Sequence, residues 1–280
     1  MTLLDYQKKI EKEISIFFKK KIKGTPEAFE KEVLGWLQEY SLRKAKRLRA
    51  ILVIYGYLLA GGKDQRNILT TSIFIELIHN YLLIHDDIVD KDELRRGKKS
   101  LHRLYGLDMA IFAGDVTAAL GYEILDSAPF PIKNKLLALA KLNKTIYSTS
   151  YGQMSELALR NNIKKGKKAT DKEVLAVYQK KTAFYTLVAP LQIGALLAGT
   201  NERFLDKIER FALPLGIAFQ IRDDLEDGDI EKVFGFNREK YIKIQEQLVI
   251  SAQKILKQEK AFPQKEKEFL LNLAEQSKIK

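Results

Sequence analysis

The chain's 280 residues are enough to bury a sizeable core, and 46% hydrophobic with 30% charged residues is the composition of a globular chain, not a disordered one. It has no cysteine, which excludes disulfides, thiolate metal sites and cysteine nucleophiles. The net charge of +12 fits an anionic partner or a lysine-rich solvated surface. No zinc-finger spacing, RNA-binding aromatic signature or basic region followed by heptads selects nucleic acid.

Helical periodicity dominates along the chain. The N-terminal stretch MTLLDYQKKIEKE carries charges where a signal peptide needs an apolar run. A first amphipathic helix is expected over residues 3–23, closed by Gly24. Thr25 before Pro26 reads as an N-cap followed by proline at the first helical position. The next helix begins near Lys44 and ends at Gly61-Gly62, and a long one spans 67–90. A helix over 108–125 is stopped by the breaker Ser127-Ala128-Pro129-Phe130-Pro131. Helices over 133–160 and 171–197 follow, the latter opened by a capping box of Thr170 and Glu173. One over 202–224 and two shorter amphipathic helices finish the chain. No run of about 18 apolar residues is found, so no integral membrane segment and a cytoplasmic location are expected. There is no internal repeat and no low-complexity linker. Residues 1–280 are therefore expected to form a single all-α domain, a helical bundle with a deep central cavity.

Two acidic clusters carry the chemistry. Asp86 and Asp90 in LIHDDIVD are four apart and share one helix face, and Asp223 and Asp227 in FQIRDDLED repeat the spacing. Each cluster ends a strongly apolar helix, where the helix dipole is already negative and neighbouring carboxylates repel one another. Accepting both costs twice points to a compensating cation. Hard oxygen ligands that leave room for water favour Mg²⁺ bridging to substrate phosphates. A single DDxxD also fits a solvated helix end; two copies with matching apolar lead-ins favour two walls of one diphosphate site.

A diphosphate also needs fixed cationic donors. Arg95 and Arg96 follow the first cluster, and arginine forks match phosphate oxygens. Lys46 and Arg49, three apart, are expected on one helix face near a helix start, where backbone N–H groups favour anions. His79 lies two turns before Asp86 on the same side, whereas His102 reads as a structural or surface histidine. Lys181-Thr182 sits inside an apolar helix, and Gln220 directly precedes the second cluster.

As a set, these residues resemble the trans-isoprenyl diphosphate synthase (polyprenyl synthetase) family. LRKAKRLRA looks like the family's GGKRLRP segment, with Lys46, Arg47 and Arg49 in place. The stretch from Ile75 to Gly106, which includes His79 and His102, is similar to the first aspartate-rich region. IFAGD, YGQ, KKTA and FQIRDDLED also match, so the resemblance covers about residues 40–230. It implies an isoprenoid synthase type of all-α fold and a homodimer. It implies a Mg²⁺-dependent prenyltransferase that joins isopentenyl diphosphate to an allylic prenyl diphosphate. Asp86, Asp90, Asp223 and Lys181 would be catalytic. Mg²⁺ would be ligated by Asp86, Asp90 and Asp223, supported by Asp87, Asp224 and Asp227. Arg95, Lys181, Thr182 and Gln220 would hold the allylic diphosphate, and Lys46, Arg49, His79 and Arg96 isopentenyl diphosphate. Tyr81, five residues before Asp86, would set product length at farnesyl or geranylgeranyl diphosphate.

The sequence departs from the family in two places. Lys44, Ala45 and Ala50 replace the two glycines and the proline of GGKRLRP. The lysine-bearing loop GKxxGxDxxxxK that follows the second cluster in the family is missing, with Lys232, Lys240 and Lys243 as candidate substitutes. That gap leaves a non-catalytic or regulatory subunit of a heteromeric synthase as the alternative reading, although both clusters are intact. A class I terpene cyclase is disfavoured, because FQIRDDLED stands where an NSE-type triad belongs.

Overall fold

In the computed structural model, residues 2–228, 230 and 233–279 are described. A capping box starts α1 (Leu3–Gly24): the Thr2 hydroxyl accepts from the Asp5 N–H while Asp5 accepts from the Thr2 N–H. Then come α2 (Ala28–Leu42), α3 (Leu48–Leu59) and α4 (Gln65–Asp90). A two-stranded hairpin follows, β1 (Leu94–Arg95) with β2 (Lys98–Lys99), and then α5 (Leu101–Tyr105) and α6 (Leu107–Asp126). The remaining elements are α7 (Ile132–Lys164), α8 (Asp171–Tyr178), a π-helix (Gln179–Val188), α9 (Ala189–Leu197), α10 (Glu202–Asp227), α11 (Arg238–Gln258) and α12 (Gln264–Gln276). The fold class is all-α, as expected.

Several local expectations change. Thr25-Pro26 does not open α2; Glu27 is its N-cap, without a side-chain bond. The next helix starts at Leu48 instead of Lys44, because Arg47 takes a left-handed backbone with φ 54°. The single helix expected over 171–197 contains ten residues of π-helix, which apolar periodicity does not distinguish from α-helix. The predicted capping box of Thr170 and Glu173 is present. The penultimate helix, expected to be short, runs for 21 residues.

The chain divides into two compact units, Met1–Ile54 with Asp64–Phe130, and Tyr55–Lys63 with Pro131–Lys280. In the first, α4 packs most extensively on α6, and α1 and α2 also lie on α4. The α4–α6 contact is close because α6 presents glycines: a methyl at Gly121 would stand 2.9 Å from Ile78 Cδ1 and 3.1 Å from the Phe74 carbonyl. Phe74 itself is fully buried, and its truncation to alanine is expected to cost about 3–5 kcal/mol. By length and composition α4 is apolar enough to cross a bilayer, which the sequence reading did not anticipate. Yet 61% of its most apolar window is buried within the protein, as in a core helix.

In the second unit, α10 packs on α11 and on the π-helix, and α7 packs on the π-helix and α9. Ile221 and Leu225 of α10 join Tyr178, Phe234 and Tyr241 in one buried cluster. Two glycines bring neighbouring backbones against the π-helix. A methyl at Gly152 of α7 would meet the Lys181 amide nitrogen at 2.6 Å, and one at Gly216 of α10 would meet Ala183 Cα at 2.6 Å. The π-helix is thus gripped on two sides at Lys181 and Ala183.

Candidate functional site

The last turns of α4 carry the first acidic cluster. Asp86 is half-buried and Asp90 exposed, one helical turn apart, while Asp87 points the other way and is 1% exposed. The Asp87 carboxylate accepts from Tyr40 Oη at 3.2 Å, from Arg95 Nε at 2.5 Å and from Arg95 Nη2. Burial pushes the Asp87 carboxyl above the usual range, against the Arg95 guanidinium and the Tyr40 hydroxyl. A buried carboxylate is tolerable there because a charged partner meets it with good geometry.

Arg95 and Arg96 sit in a β-hairpin that helical periodicity gave no sign of. Arg95 pairs with Lys98, and the turn residues Arg96 and Gly97 have φ 54° and 77°, as a type I′ turn requires. The hairpin is held by a residue outside the expected set, Arg43. Its buried guanidinium donates through Nη1 to the carbonyls of Arg95 (3.3 Å) and Lys99 (3.0 Å), and through Nε and Nη2 to Glu39 (3.0 and 2.8 Å). Arg96 Nη1 then reaches Asn80 Oδ1 at 3.4 Å. Arg49 Nη1 meets His79 Nε2 at 3.1 Å, and burial, then Arg49 and Arg96, push the His79 pKa well below its ordinary value. The ring is therefore neutral and accepts from Arg49 through Nε2, which leaves its proton on Nδ1. Arg49, His79 and Arg96 are thus brought together in one unit, under a field that favours an anion.

Lys46 is placed differently from expectation. It is exposed in the loop before α3 and shares no helix face with Arg49, since the left-handed Arg47 lies between them. Arg47 turns inward, to Glu76 at 3.5 Å and Glu11 at 3.4 Å. His102 is half-buried in α5. Tyr81 packs edge-on against His85 with ring centroids 4.8 Å apart, and His85 Nε2 lies 3.2 Å from the Ile111 carbonyl and 3.7 Å from Asp115. Burial, then Asp115, raises the Tyr81 pKa.

The second unit builds its cluster on α10. Asp223 is half-buried and 3.0 Å from Arg222, and Asp227 is exposed one turn on. Asp224 is buried; it accepts from Tyr178 Oη and, at 2.5 Å, from Gln220 Nε2. Gln220 Oε1 accepts in turn from the Thr182 hydroxyl at 2.6 Å. Burial, then Asp224, raises the Tyr178 pKa, so this hydroxyl keeps its proton and donates it. Lys181 Nζ is 2.5 Å from Glu156, which also accepts from Arg160 at 2.7 Å. Burial works to raise the Glu156 pKa, but Lys181 and Arg160 hold it below the usual range. Thr182, Gln220 and Asp224 are therefore one connected group, and Lys181, the neighbour of Thr182 in the chain, is set separately by Glu156.

Sequence reasoning missed Tyr40, Arg43, Glu156, Tyr178 and the two glycines beside the π-helix. Glu156 had a faint signal, lying four residues before Arg160 in an apolar helix; the tyrosines had none. Of the candidate substitutes for the missing loop, Lys232 lies outside the described residues. Lys240 pairs with Asp171 at 2.5 Å, and Lys243 is exposed on α11. Arg238 Nη1 reaches the end of α10, donating to the Leu225 carbonyl at 2.7 Å.

No group of three His, Asp or Glu side chains among the described residues is gathered to hold a metal unaided. What each cluster offers is an outer pair of carboxylates one turn apart. That donor set fits Mg²⁺, which keeps several waters and takes one or two carboxylates plus phosphate oxygens.

A family model described as polyprenyl synthetase matches residues 31–233. A geranylgeranyl pyrophosphate synthase of Geoglobus acetivorans is 34% identical over 202 residues, which is 71% of this chain and 61% of that protein. A farnesyl diphosphate synthase of Bacillus subtilis is 31% identical over 248 residues, 82% of this chain and 77% of that one. Several curated relatives are matched over less than two thirds of their length, 54% to 61% in three cases. In fold, the chain superposes on a Corynebacterium glutamicum geranylgeranyl pyrophosphate synthase complexed with isoprenyl diphosphate and magnesium. The TM-score is 0.87 at 20% identity, covering 99% of both chains.

Proposed function

Because the chain belongs to the polyprenyl synthetase family, we propose that it is a Mg²⁺-dependent trans-prenyltransferase. It joins isopentenyl diphosphate to an allylic prenyl diphosphate and releases a short-chain product, farnesyl or geranylgeranyl diphosphate. The observation that carries this reading is the repeated cluster, with an outer carboxylate pair at the end of an apolar helix in each unit, accompanied by fixed cationic donors.

Asp86, Asp90 and Asp223 are the metal ligands in this reading, supported by Asp227. Mg²⁺ held there supplies positive charge to the departing diphosphate. Arg95, Lys181, Thr182 and Gln220 orient that diphosphate, with Lys181 set by Glu156 and Gln220 by Asp224. Arg49, neutral His79 and Arg96 bind the diphosphate of the isopentenyl substrate, with Lys46 as an exposed loop cation. The allylic C–O bond breaks and leaves an allylic cation. The isopentenyl double bond attacks it to form the new C–C bond, and the proton lost from the adjacent carbon goes to the released pyrophosphate. Fixed donors act on the charge that develops on that leaving group.

Tyr81 limits how far the product grows. A homodimer is part of the same reading, supported by exposed Met109, Phe112 and Val116 on α6 and Phe29 on α2. So is a cytoplasmic location: without cysteine, the fold requires no oxidising compartment. The test is incubation of the purified chain with Mg²⁺, labelled isopentenyl diphosphate and allylic primers of increasing length, reading product length. Elongation to farnesyl or geranylgeranyl diphosphate is expected, and Tyr81→Ala lengthens the product. No elongation with any primer would overturn the reading.

A further inference from the structure

The two acidic clusters share a feature that metal ligation does not explain. In each, the outer aspartates lie on the accessible side of the helix while the middle aspartate is turned into the protein. Each middle aspartate accepts a hydrogen bond from a buried tyrosine hydroxyl: Asp87 from Tyr40 at 3.2 Å, Asp224 from Tyr178. Each also accepts from a side chain assigned above to the allylic diphosphate: Asp87 from Arg95 Nε, and Asp224 from Gln220 Nε2, both at 2.5 Å. The tyrosines come from unrelated elements, α2 and α8, and the same three-part arrangement is built once in each unit.

We propose that Tyr40 and Tyr178 are positioning residues. Each fixes a middle aspartate, and through it both the helix-end turn that presents the outer aspartates and the side chain that meets the allylic diphosphate. Asp87 and Asp224 are then anchors, not metal ligands. Both oxygens of each carboxylate are already engaged, Asp87 Oδ2 by Tyr40 and Oδ1 by Arg95, Asp224 Oδ2 by Tyr178 and Oδ1 by Gln220, and burial denies them the waters that Mg²⁺ retains. Outer partners of this kind orient ligands, and their loss typically costs about 10–100-fold in metal affinity or activity. The second partner of each middle aspartate, Arg95 or Gln220, is assigned to the allylic diphosphate, so the effect falls mainly on that substrate.

This rests on the proposed reaction, and the experiment separates the two. Tyr40→Phe and Tyr178→Phe delete only the hydroxyl; Tyr241→Phe is the control. Its hydroxyl donates to Asp171 at 3.1 Å, and its ring lies in the same buried cluster as Tyr178. Binding of inorganic pyrophosphate in Mg²⁺ is measured by calorimetry and melting temperature by scanning, with KM for both substrates from the elongation assay. The first two variants are expected to weaken pyrophosphate binding about 10–100-fold and to raise KM for the allylic substrate more than that for isopentenyl diphosphate. Tyr241→Phe is expected to lower the melting temperature alone. Binding within twofold of the native chain in a folded Tyr40→Phe or Tyr178→Phe overturns the proposal, as does an equal loss in Tyr241→Phe. The clusters are independent arms, so a variant that fails to fold leaves the other to decide. A native chain that binds pyrophosphate but does not elongate removes the reaction while leaving the positioning test intact.

Discussion

Asp87 and Asp224 occupy the same place in their clusters but are held by different chemistry. Asp87 meets a cation, Arg95, itself carried on a hairpin that Arg43 clasps to α2. Asp224 accepts from two neutral donors, Tyr178 and Gln220, and the glutamine is shared with Thr182 of the π-helix. The first cluster has the charge of its anchor compensated within the fold. The second is organised by hydrogen bonds that pass through a helix of unusual pitch. The same acidic spacing in sequence thus meets an arginine in one unit and a tyrosine, a glutamine and, through it, a threonine in the other.

The largest expected effect lies where the clusters should not differ. Asp86→Ala and Asp223→Ala each reduce turnover by at least about 10²–10³-fold, the scale of losing a group aimed at developing charge. Near-native rates in either would break the symmetry. The anchors come next. Arg95→Met leaves the Asp87 charge buried beside an apolar chain and costs about 3–5 kcal/mol of stability by denaturant titration. Gln220→Met, which removes one neutral partner, costs about 1–3 kcal/mol. Equal losses would erase the distinction between the two anchors.

Glycine substitutions sharpen it further. Gly216→Ala drives a methyl against the Ala183 backbone and must shift the π-helix, at a cost of about 1–3 kcal/mol and with a raised KM for the allylic substrate. Gly114→Ala in the first unit meets only the tip of the His85 side chain, at 2.5 Å, and is the milder change by the same measurements. The smallest effect concerns pH. His79 is held neutral in the fold, so its contribution is present above the unfolded pKa of about 6.5 and is lost as pH falls below it. The melting temperature of the native chain therefore declines between about pH 7 and pH 5, and His79→Asn flattens that decline.

Much of this was legible in the sequence for a physical reason. Apolar periodicity is set by burial, so α4, α6 and α10 could be read to within a few residues, and a four-residue spacing placed Asp86 with Asp90 and Asp223 with Asp227. The rest depends on relations that spacing does not encode. Tyr40 is 47 residues from Asp87, and Tyr178 is 46 from Asp224, in helices whose buried tyrosines look like any other core aromatic. The hairpin was hidden because Arg96 takes a left-handed turn position usually given to asparagine or aspartate. Lys46 was misplaced for a similar reason, since the left-handed Arg47 breaks the helix where propensity alone continues it.

The roles of outer and middle aspartates are tested most directly by a crystal structure of the native chain with Mg²⁺ and an unreactive thio-analogue of the allylic diphosphate. The account predicts Mg²⁺ at about 2.0–2.1 Å from oxygens of Asp86, Asp90 and Asp223, with Asp87 still on Tyr40 and Asp224 still on Tyr178. Asp87 or Asp224 leaving its tyrosine to bind the metal would contradict it.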